Sequence, residues 1–461
     1  MNNSKIKEIL KDHLVFENTI VSDEVTSATT NLQLADEHSI CFYHITDLPN
    51  SNQLFLDRLK ESNCRNLILS KHVEVEGVNV WVIDHKDFLK AQEAIANCLY
   101  PNDGSLKIAG ITGTNGKTTV SYLAMQMATS LGFPSISIGT IGIRSSKEIL
   151  EDDILSTTPS YLELRKIINK YQKEYKFIFM EVSSHALAQS RLYSTELECC
   201  AWTSFSQDHL DYHKDYEDYF NAKLKIVKNS KNKNIIVPAI EDDLISMLKR
   251  SGNLVDPVSC EYSSEFDVGF KATYNQANLA VAKRMVELIS GQVVGRDILK
   301  SLTLPAGRFE SIQFKDNIVI VDYAHTPDAL ENICETIKKD FSSFHLVVVF
   351  GCGGDRDKSK RPLMGEAVAK YADSIIVTSD NPRTENPEKI IEDILPGITT
   401  PFEQEVDRRK AIQLSLKNIT SKSVVLIAGK GHEEYQDVMG KKTHFSDKEE
   451  VLKYIKESEN V

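Results

Sequence analysis

The spacing of apolar runs divides the chain into three stretches. In the first hundred residues, the short apolar runs Asn66–Leu69 and Val80–Ile83 predict strands, and Phe88–Leu99 predicts a helix. The turn-forming segment 100–105 (YPNDGS) then marks a boundary. Beyond it, apolar runs of strand length alternate with helical stretches, which predicts parallel sheets covered by helices on both faces. The sequence therefore predicts an α/β protein with domains at about 1–103, 104–304 and 305–461.

Four runs predict the sheet of the third stretch: IVIVDYA, HLVVVFG, SIIVTSD and SVVLIAG. A length of 461 residues agrees with about three domains. Because a folded unit of that total size seldom has one core, this division is also expected on physical grounds.

Composition narrows the class of protein. The net charge of -12 disfavours a nucleic-acid partner, which would require a basic face. No apolar run has the roughly 18 residues of a membrane span, and the first residues lack the apolar core of a secretion signal. The eight cysteines are scattered without a CxxC pair, so we expect reduced thiols, no zinc site and a cytoplasmic protein.

A phosphate-binding loop opens the second stretch. Residues 110–120 read GITGTNGKTTV, between the apolar run Leu106–Thr112 and an amphipathic helix ended by Gly132. Backbone amides of such a loop can surround phosphate oxygens at a helix N-terminus. Lys117 would reach the β- and γ-phosphates and Thr118 would bind Mg²⁺. Gly110 precedes Gly116 by six residues rather than five, so a simple glycine turn with a solvated lysine is the alternative.

Two acidic segments follow this loop. Glu181 ends the apolar run FIFMEV, where a carboxylate beside a phosphate loop is well placed to hold Mg²⁺. The segment 208–213 (DHLDYH) offers two histidines and two aspartates that either bind a metal or remain hydrated.

At this point the motifs resemble those of the Mur ligases. The matching strings are GTNGKTT, MEVSSHAL, DHLDYH, YFNAKLKIV, AGRFE, DYAHTPDAL, GCGGDRDKSKRPLM, TSDNPR and GKGHEEY. They run in family order over about residues 104–450. The resemblance implies a three-domain architecture with an N-terminal substrate domain, a central P-loop ATPase domain and a C-terminal doubly wound domain. It also implies domain closure over the site and a monomer.

The resemblance further implies a reaction. A carboxylate attacks the γ-phosphate of ATP, an amine then attacks the acyl phosphate, and phosphate leaves. The closest motif match is to members that add the third residue to UDP-N-acetylmuramoyl-L-alanyl-D-glutamate in peptidoglycan precursor synthesis. The form DNPR of residues 380–383 resembles members that add meso-diaminopimelate, because an arginine there can grip the second carboxylate that lysine lacks.

The family roles are assigned to this chain by motif position. ATP would contact Gly113, Thr114, Asn115, Gly116, Lys117, Thr118, Thr119, Asn275, Asn278, Arg308 and Asp322. Mg²⁺ would be held by Thr118, Glu181, His209 and Lys223, the last carbamylated by CO₂. The catalytic set would be Lys117, Glu181, His209 and Lys223. The UDP-muramoyl peptide would contact Thr157, Thr158, Ser183, Gln189 and Arg191. The amino acid would contact Arg356, Asp380, Asn381, Pro382, Arg383, Gly429 and Glu433.

Simpler interpretations exist for several of these residues. Lys223 would ordinarily be a helix-surface lysine, Asn275 and Asn278 could cap a helix near Thr273, and Arg383 could pair with Glu385 on a surface turn. Ser156–Pro159 could be only a turn. The GCGG run after HLVVVF lacks the GxGxxG spacing, since Arg356 takes the place of the last glycine, and so does not indicate a dinucleotide site.

The first hundred residues depart from the family pattern. The expected Asp-Ser-Arg is replaced by Ser27-Ala28-Thr29-Thr30-Asn31, without the arginine, and the segment between Lys233 and Tyr274 is short. Three alternatives therefore stay open. The first is a divergent paralogue that uses another acyl acceptor, such as a pseudomurein-type peptide, the second a folylpolyglutamate synthase, and the third a non-catalytic scaffold.

Overall fold

The computed structural model describes the whole chain except residues 21–23, 153–155, 211, 261–262, 264–265, 267, 420–421 and 460–461. Its strands form three large sheets and one two-stranded hairpin in the described part of the chain. None of the helices in the described ranges has the length and apolarity that crossing a membrane requires.

The first sheet has five strands in the order β1-β5-β4-β3-β2. These strands are β1 (Leu14–Asn18), β2 (Ser27–Thr29), β3 (Ser39–Tyr43), β4 (Asn66–Leu69) and β5 (Asn79–Ile83), with helices α1 (Asn3–Leu10), α2 (Ser51–Lys60) and α3 (Phe88–Leu99). Only the edge strand β1 runs antiparallel to its neighbour. The predicted β4 and α3 are confirmed at their stated bounds, and the predicted β5 begins one residue earlier.

The second sheet has eight strands in the order β13-β12-β11-β6-β10-β7-β8-β9. The strands are β6 (Lys107–Thr112), β7 (Ser135–Gly139), β8 (Gly142–Ser145), β9 (Ile149–Glu151), β10 (Phe177–Glu181), β11 (Cys199–Trp202), β12 (Asn234–Pro238) and β13 (Leu254–Val258). The helices are α4 (Lys117–Ser130), α5 (Tyr161–Tyr171), α6 (Ser184–Ala188), α7 (Tyr216–Leu224), α8 (Ile226–Asn229), α9 (Asp242–Arg250), α10 (Thr273–Ser290) and α11 (Arg296–Lys300).

The site forms at the end of β6, which lies at the centre of this sheet. Its parallel neighbours are β10 and β11, so the carboxyl ends of all three strands lie at one edge. The phosphate loop follows β6, and Glu181 is the last residue of β10. Separate apolar cores cover the two faces, as predicted from the nearly continuous apolar runs.

The third sheet has six strands in the order β14-β15-β19-β16-β17-β18. The strands are β14 (Glu310–Phe314), β15 (Asn317–Asp322), β16 (His345–Phe350), β17 (Ser374–Val377), β18 (Phe402–Gln404) and β19 (Ser423–Ala428); the hairpin is β20 (Tyr435–Val438) and β21 (Lys441–His444). The helices are α12 (Pro327–Asp340), α13 (Lys360–Ala369), α14 (Pro387–Ile394), α15 (Arg408–Lys417) and α16 (Asp447–Glu459). Within the six-stranded sheet all pairings are parallel except that of β14 with β15, and cores lie on both faces, so the predicted α/β architecture is confirmed.

The strands of each large sheet lie within one of the three predicted ranges. The first and second ranges nevertheless pack against each other. Tyr161 and Leu162 of α5 belong to the apolar core beneath the first sheet. Arg165 donates from its guanidinium to Asn97 Oδ1 and to the carbonyl oxygen of Tyr100, both at 3.0 Å. Helix α5 therefore joins the N-terminal sheet to the nucleotide-loop sheet.

A buried ion pair closes the third unit beside its strand ends. Arg408 and Asp447 have fully buried side chains, and both Nε and Nη2 lie 2.7 Å from the carboxylate oxygens. Nη2 also donates to the carbonyl oxygen of Ala428 at 2.9 Å. The pair thus fixes the end of β19, where Gly429 begins the amino-acid motif.

Arg408→Met should destabilise the protein by about 3–5 kcal/mol, because Asp447 would remain as a buried charge without its partner. The neighbouring Arg409 is the matched control: its side chain is 48% exposed in its pair with Glu450, so Arg409→Met should cost about 0–1 kcal/mol. Urea unfolding of the two variants measures the difference. Equal losses would contradict the assigned role of the buried pair.

Candidate functional site

The phosphate loop is held in shape by two glycines. Gly116 precedes α4 with a φ of 85°, and Gly113 has a φ of 148°. A Cβ at Gly116 would lie 2.4 Å from Asn278 Oδ1, and one at Gly113 would lie 2.0 Å from Thr203 Oγ1. The loop therefore packs directly on α10 and on the end of β11, where only glycine fits.

Lys117 lies over its own loop. Its Nζ donates to the carbonyl oxygens of Gly113 at 2.9 Å and Thr114 at 2.8 Å. Burial lowers the pKa of Lys117. The half-buried side chain and its two hydrogen bonds to the loop argue against the alternative of a glycine turn with a solvated lysine. Thr118 is buried at the first turn of α4. It lines a cleft of about 570 Å³ together with Thr114, Asn115, Gly116 and Lys117.

Lys223 is the most unexpected residue of the site. It is 1% exposed, and its Nζ donates to the carbonyl oxygen of Gly113 at 2.8 Å while lying 4.6 Å from the centre of the Tyr219 ring. Burial, together with repulsion from Lys117, holds the pKa of Lys223 well below its usual value. The helix-surface interpretation of this lysine is wrong. The neutral amine that these surroundings favour is the form that can react with CO₂.

Glu181 is fixed by the loop after β7. Its Oε1 accepts a hydrogen bond from the backbone N–H of Thr140 at 2.9 Å, and Oε2 accepts one from the Thr140 hydroxyl at 3.3 Å. A Cβ at Gly139 would lie only 1.9 Å from Glu181 Oε1. The carboxylate is therefore buried and oriented. Its position depends on Gly139, which the motifs did not identify.

His209 and Asp208 lie at the other side of the loop. Burial first, and then the charge of Lys117, lowers the pKa of His209 to about 4, so its ring is neutral and can bind a metal. Burial raises the pKa of Asp208, but His209 and Lys360 outweigh that effect and keep it low. Lys360, the first residue of α13, forms an ion pair with Asp208 across the domain interface. Asp211 of the same segment lies outside the described residues.

The predicted UDP-muramoyl-peptide residues divide into two groups. Thr157, Ser183 and Arg191 line the cleft. Thr158 is fully buried instead, and its hydroxyl donates to the carbonyl oxygen of Glu181 at 3.0 Å, so it supports the end of β10. Gln189 is exposed and accepts a hydrogen bond from Arg191 Nε at 3.0 Å, which fixes the guanidinium.

A second cavity of about 340 Å³ lies between the phosphate loop and the third sheet. It is lined by the predicted residues Asn115, Gly116, Thr119, Asn275, Asn278, Arg308 and Asp322, together with His325. Asn275 donates to the carbonyl oxygen of Gly269 at 3.0 Å, while the N-cap of α10 is Ala272 without a side-chain cap, so the capping interpretation is wrong. The volume suits a nucleoside.

Two residues from the third unit complete that cavity. Arg308 places its guanidinium 4.5 Å from the centre of the Tyr323 ring. Asp322 accepts hydrogen bonds at 2.7 Å from the backbone N–H groups of Phe309 and Ala324, and burial raises its pKa. Asp322 therefore orders the loop that carries Arg308.

The predicted amino-acid residues surround the opposite end of the cleft. Arg356, Asp380, Asn381, Arg383, Gly429 and Glu433 line it, and Pro382 is buried between them. Arg383 has a φ of 49° and donates to the carbonyl oxygen of Gly354 at 2.6 Å. Glu385 instead pairs with Arg361 at 2.8 Å and Lys358 at 3.0 Å. The alternative in which Arg383 pairs with Glu385 is therefore wrong.

Sequence reasoning missed Thr140, Lys360 and Lys430. Thr140 sits in a loop with no motif character, and the two lysines lie within strings dominated by other charged residues. Their contacts connect segments far apart in the chain, so no local pattern indicated them.

Gly139→Ala should displace Glu181, because the added methyl group would occupy the position of Oε1. A misplacement of that size typically costs about 10²-fold in turnover. Gly295→Ala is the control, since nothing lies within 4 Å of a Cβ there. The measurement is ATP-dependent phosphate release as a function of Mg²⁺ concentration. Wild-type turnover in Gly139→Ala would contradict the assigned position of Glu181.

Known proteins share this arrangement. The Mur ligase middle domain model matches residues 111–296, and the model of the Mur ligase glutamate ligase domain matches residues 307–431. UDP-N-acetylmuramoyl-L-alanyl-D-glutamate--2,6-diaminopimelate ligase 1 of Clostridium acetobutylicum is 36% identical over 451 residues, covering 90% of this chain and 92% of that protein.

Solved structures agree with that similarity. A structure of UDP-N-acetylmuramoyl-L-alanyl-D-glutamate--2,6-diaminopimelate ligase superposes with a TM-score of 0.60 at 27% identity and covers 99% of both chains. E. coli FolC in complex with DHPP and ADP has a TM-score of 0.57 at 18% identity and covers 74% of this chain and 89% of its own. The second likeness concerns the fold alone. With the relative from C. acetobutylicum matching nearly end to end, the chain belongs to the Mur ligase family.

Proposed function

We propose that this chain is an ATP-dependent ligase that joins meso-2,6-diaminopimelate to UDP-N-acetylmuramoyl-L-alanyl-D-glutamate in peptidoglycan precursor synthesis. One observation carries the proposal: a single cleft of about 570 Å³ is lined by Lys117, Glu181, His209 and Arg383. A phosphate loop, metal-binding groups and a guanidinium for a carboxylate thus face the same space. The names of the relative from C. acetobutylicum and of the solved ligase support the same substrates.

The residues suit a reaction in which two anions must meet. A carboxylate oxygen attacks the γ-phosphorus of ATP, and the bond to the β-γ bridging oxygen breaks, which gives an acyl phosphate and ADP. The amine nitrogen then attacks the acyl carbon, loses a proton, and phosphate leaves. Lys117 offsets the negative charge at the phosphates, and the first turn of α4 directs backbone N–H groups toward them.

The donors around the loop fit Mg²⁺. Thr118, Glu181 and His209 would hold it, and when bound it supplies positive charge to the phosphate oxygens. Glu181 is oriented by Thr140 and His209 is neutral, as ligation requires. Lys223 would join them as a carbamate: its neutral Nζ forms a bond to the carbon of CO₂ and loses one proton, which turns a neutral amine into an anionic oxygen ligand.

The presence of the N-terminal sheet favours a UDP-muramoyl dipeptide as the substrate. The solved diaminopimelate ligase covers 99% of this chain, whereas the FolC likeness covers 74%. Arg191, held by Gln189 and by the carbonyl oxygen of Thr158 at 2.7 Å, offers a cation to the peptide between the two domains. These features favour the UDP-muramoyl dipeptide over a folate or another carboxylate substrate.

Wild-type protein should prefer meso-diaminopimelate to L-lysine by about 10³ or more, because the half-buried guanidinium of Arg383 would be left without a carboxylate partner. Arg383→Ala should lose that preference and keep ADP binding. The measurement is a competition between the two amino acids, with the product identified by mass. Arg356→Ala tests the second arginine of the pocket in the same competition. Equal rates in the wild type, or preference for lysine, would rule out the substrate assignment.

Lys223→Ala should be nearly inactive, with a loss of about 10²–10³ in turnover, because an anionic ligand is removed. A short carboxylate such as acetate should restore part of the activity by filling the vacated position. Intact-protein mass spectrometry in bicarbonate should also show an added CO₂ in the wild type that Lys223→Ala lacks. An active wild-type enzyme with an unmodified lysine would rule out the carbamate.

A further inference from the structure

Lys430 is a fully buried lysine at the amino-acid end of the cleft. It follows Gly429 directly after β19, and its side chain is 0% exposed. Its Nζ lies 3.1 Å from Asn381 Oδ1 and 3.1 Å from Glu433 Oε2. A buried ammonium is costly unless it is paired, so this pair of contacts is what holds the charge inside the protein.

These contacts determine how Asn381 is oriented. The backbone N–H of Asp437 also donates to Asn381 Oδ1, at 3.0 Å. An ammonium and a backbone N–H can only donate, so the amide atom between them must be the oxygen. The Asn381 Nδ2 group then points at Glu433 Oε2, 2.8 Å away.

Lys430 and Asn381 consequently hold the same oxygen of Glu433. Oε2 accepts hydrogen bonds from both Lys430 and Asn381, and the carboxylate lines the cleft. A second carboxylate, that of Asp380, also lines the cleft and lies beside the residue before Lys430, since a Cβ at Gly429 would lie 2.6 Å from Asp380 Oδ2. The nearby Arg408 is committed to Asp447. Among the ion pairs of the described residues, Lys430 is the cation that pairs with Glu433.

We propose that Lys430 is a positioning residue that orients Glu433 and Asn381 and sets the charge of the amino-acid pocket, so that a substrate of zero net charge is favoured over a cationic one. The inference rests on the proposed function. Meso-diaminopimelate carries two ammonium and two carboxylate groups and is neutral overall, whereas lysine carries one positive charge. Without Lys430 the pocket gains a negative charge, which favours lysine.

The test compares Lys430→Met with Lys442→Met. Lys442 is the matched control, because its Nζ lies 4.2 Å from the centre of the same Tyr435 ring, which is 5.5 Å from Lys430 Nζ, but the side chain is exposed. Lys430→Met should raise the KM for diaminopimelate by about tenfold or more, leave the KM for ATP within about twofold, and lower the diaminopimelate-to-lysine ratio of kcat/KM by about tenfold. Lys442→Met should match the wild type.

A double-mutant cycle with Glu433→Gln separates positioning from a merely structural role. If Lys430 acts through Glu433, adding Lys430→Met to Glu433→Gln should change the KM for diaminopimelate by less than about twofold. Additive effects on that KM would overturn the positioning role, and an unchanged diaminopimelate-to-lysine ratio in Lys430→Met would overturn the effect on the pocket charge. If Lys430→Met fails to fold, the double variant should recover folding, since it no longer leaves the Glu433 carboxylate without its cation; failure of both would also overturn the proposal.

The outcome is independent of the substrate assignment. If the wild type rejects diaminopimelate and uses another amino acid, the proposed function fails. The same cycle, run with the amino acid that is used, still decides whether Lys430 acts through Glu433.

Discussion

The carbonyl oxygen of Gly113 accepts hydrogen bonds from two lysines, and the rest of the site depends on that convergence. Lys117 comes from the loop itself, whereas Lys223 comes from α7, more than a hundred residues later. Two ammonium groups on one carbonyl oxygen repel each other in a site with little water. The protein relieves this by lowering the pKa of Lys223 and by leaving room for anions. Phosphate, carboxylate and carbamate are the groups that these surroundings favour.

The second and third α/β domains also meet at this loop. Asp328 at the start of α12 accepts hydrogen bonds at 3.1 Å from Asn115 and from Ser206, and Lys360 pairs with Asp208. These contacts place the amino-acid pocket opposite the phosphate loop. Because groups from both domains line one cleft, the relative position of the domains controls whether the amine can reach the acyl carbon.

Much of the fold was predictable, because it is encoded locally. Strand β6, the GKT loop and α4 are consecutive in the chain, so an apolar run, glycines and a helical run indicate them directly. The expectation that α4 is amphipathic is wrong, because the helix is buried on nearly all sides. The parallel sheets follow from alternating strands and helices. The residues of the cleft were placed by motif resemblance, and spacing alone did not distinguish a buried Lys223 from a surface lysine.

Contacts between distant segments of the chain could not be predicted from the sequence. Lys223 is buried because α7 packs Tyr219 and Phe220 inward at helical spacing, and the lysine one turn later points the same way. Thr140 and Glu181 meet because β7 and β10 are neighbours in the sheet. Lys430 follows β19 and Asn381 follows β17. They meet because these two parallel strands end at the same edge of the sheet. Thr158, expected to face the substrate, instead supports the end of a strand.

Following oxygen from the reacting carboxylate tests the acyl-phosphate mechanism most directly. UDP-N-acetylmuramoyl-L-alanyl-D-glutamate labelled with ¹⁸O in its glutamate carboxylates would be incubated with the protein, ATP, Mg²⁺ and meso-diaminopimelate, and the phosphate released would be analysed by mass. An acyl phosphate requires that each amide bond formed transfers one ¹⁸O atom to phosphate. Amide formation with unlabelled phosphate would contradict the mechanism.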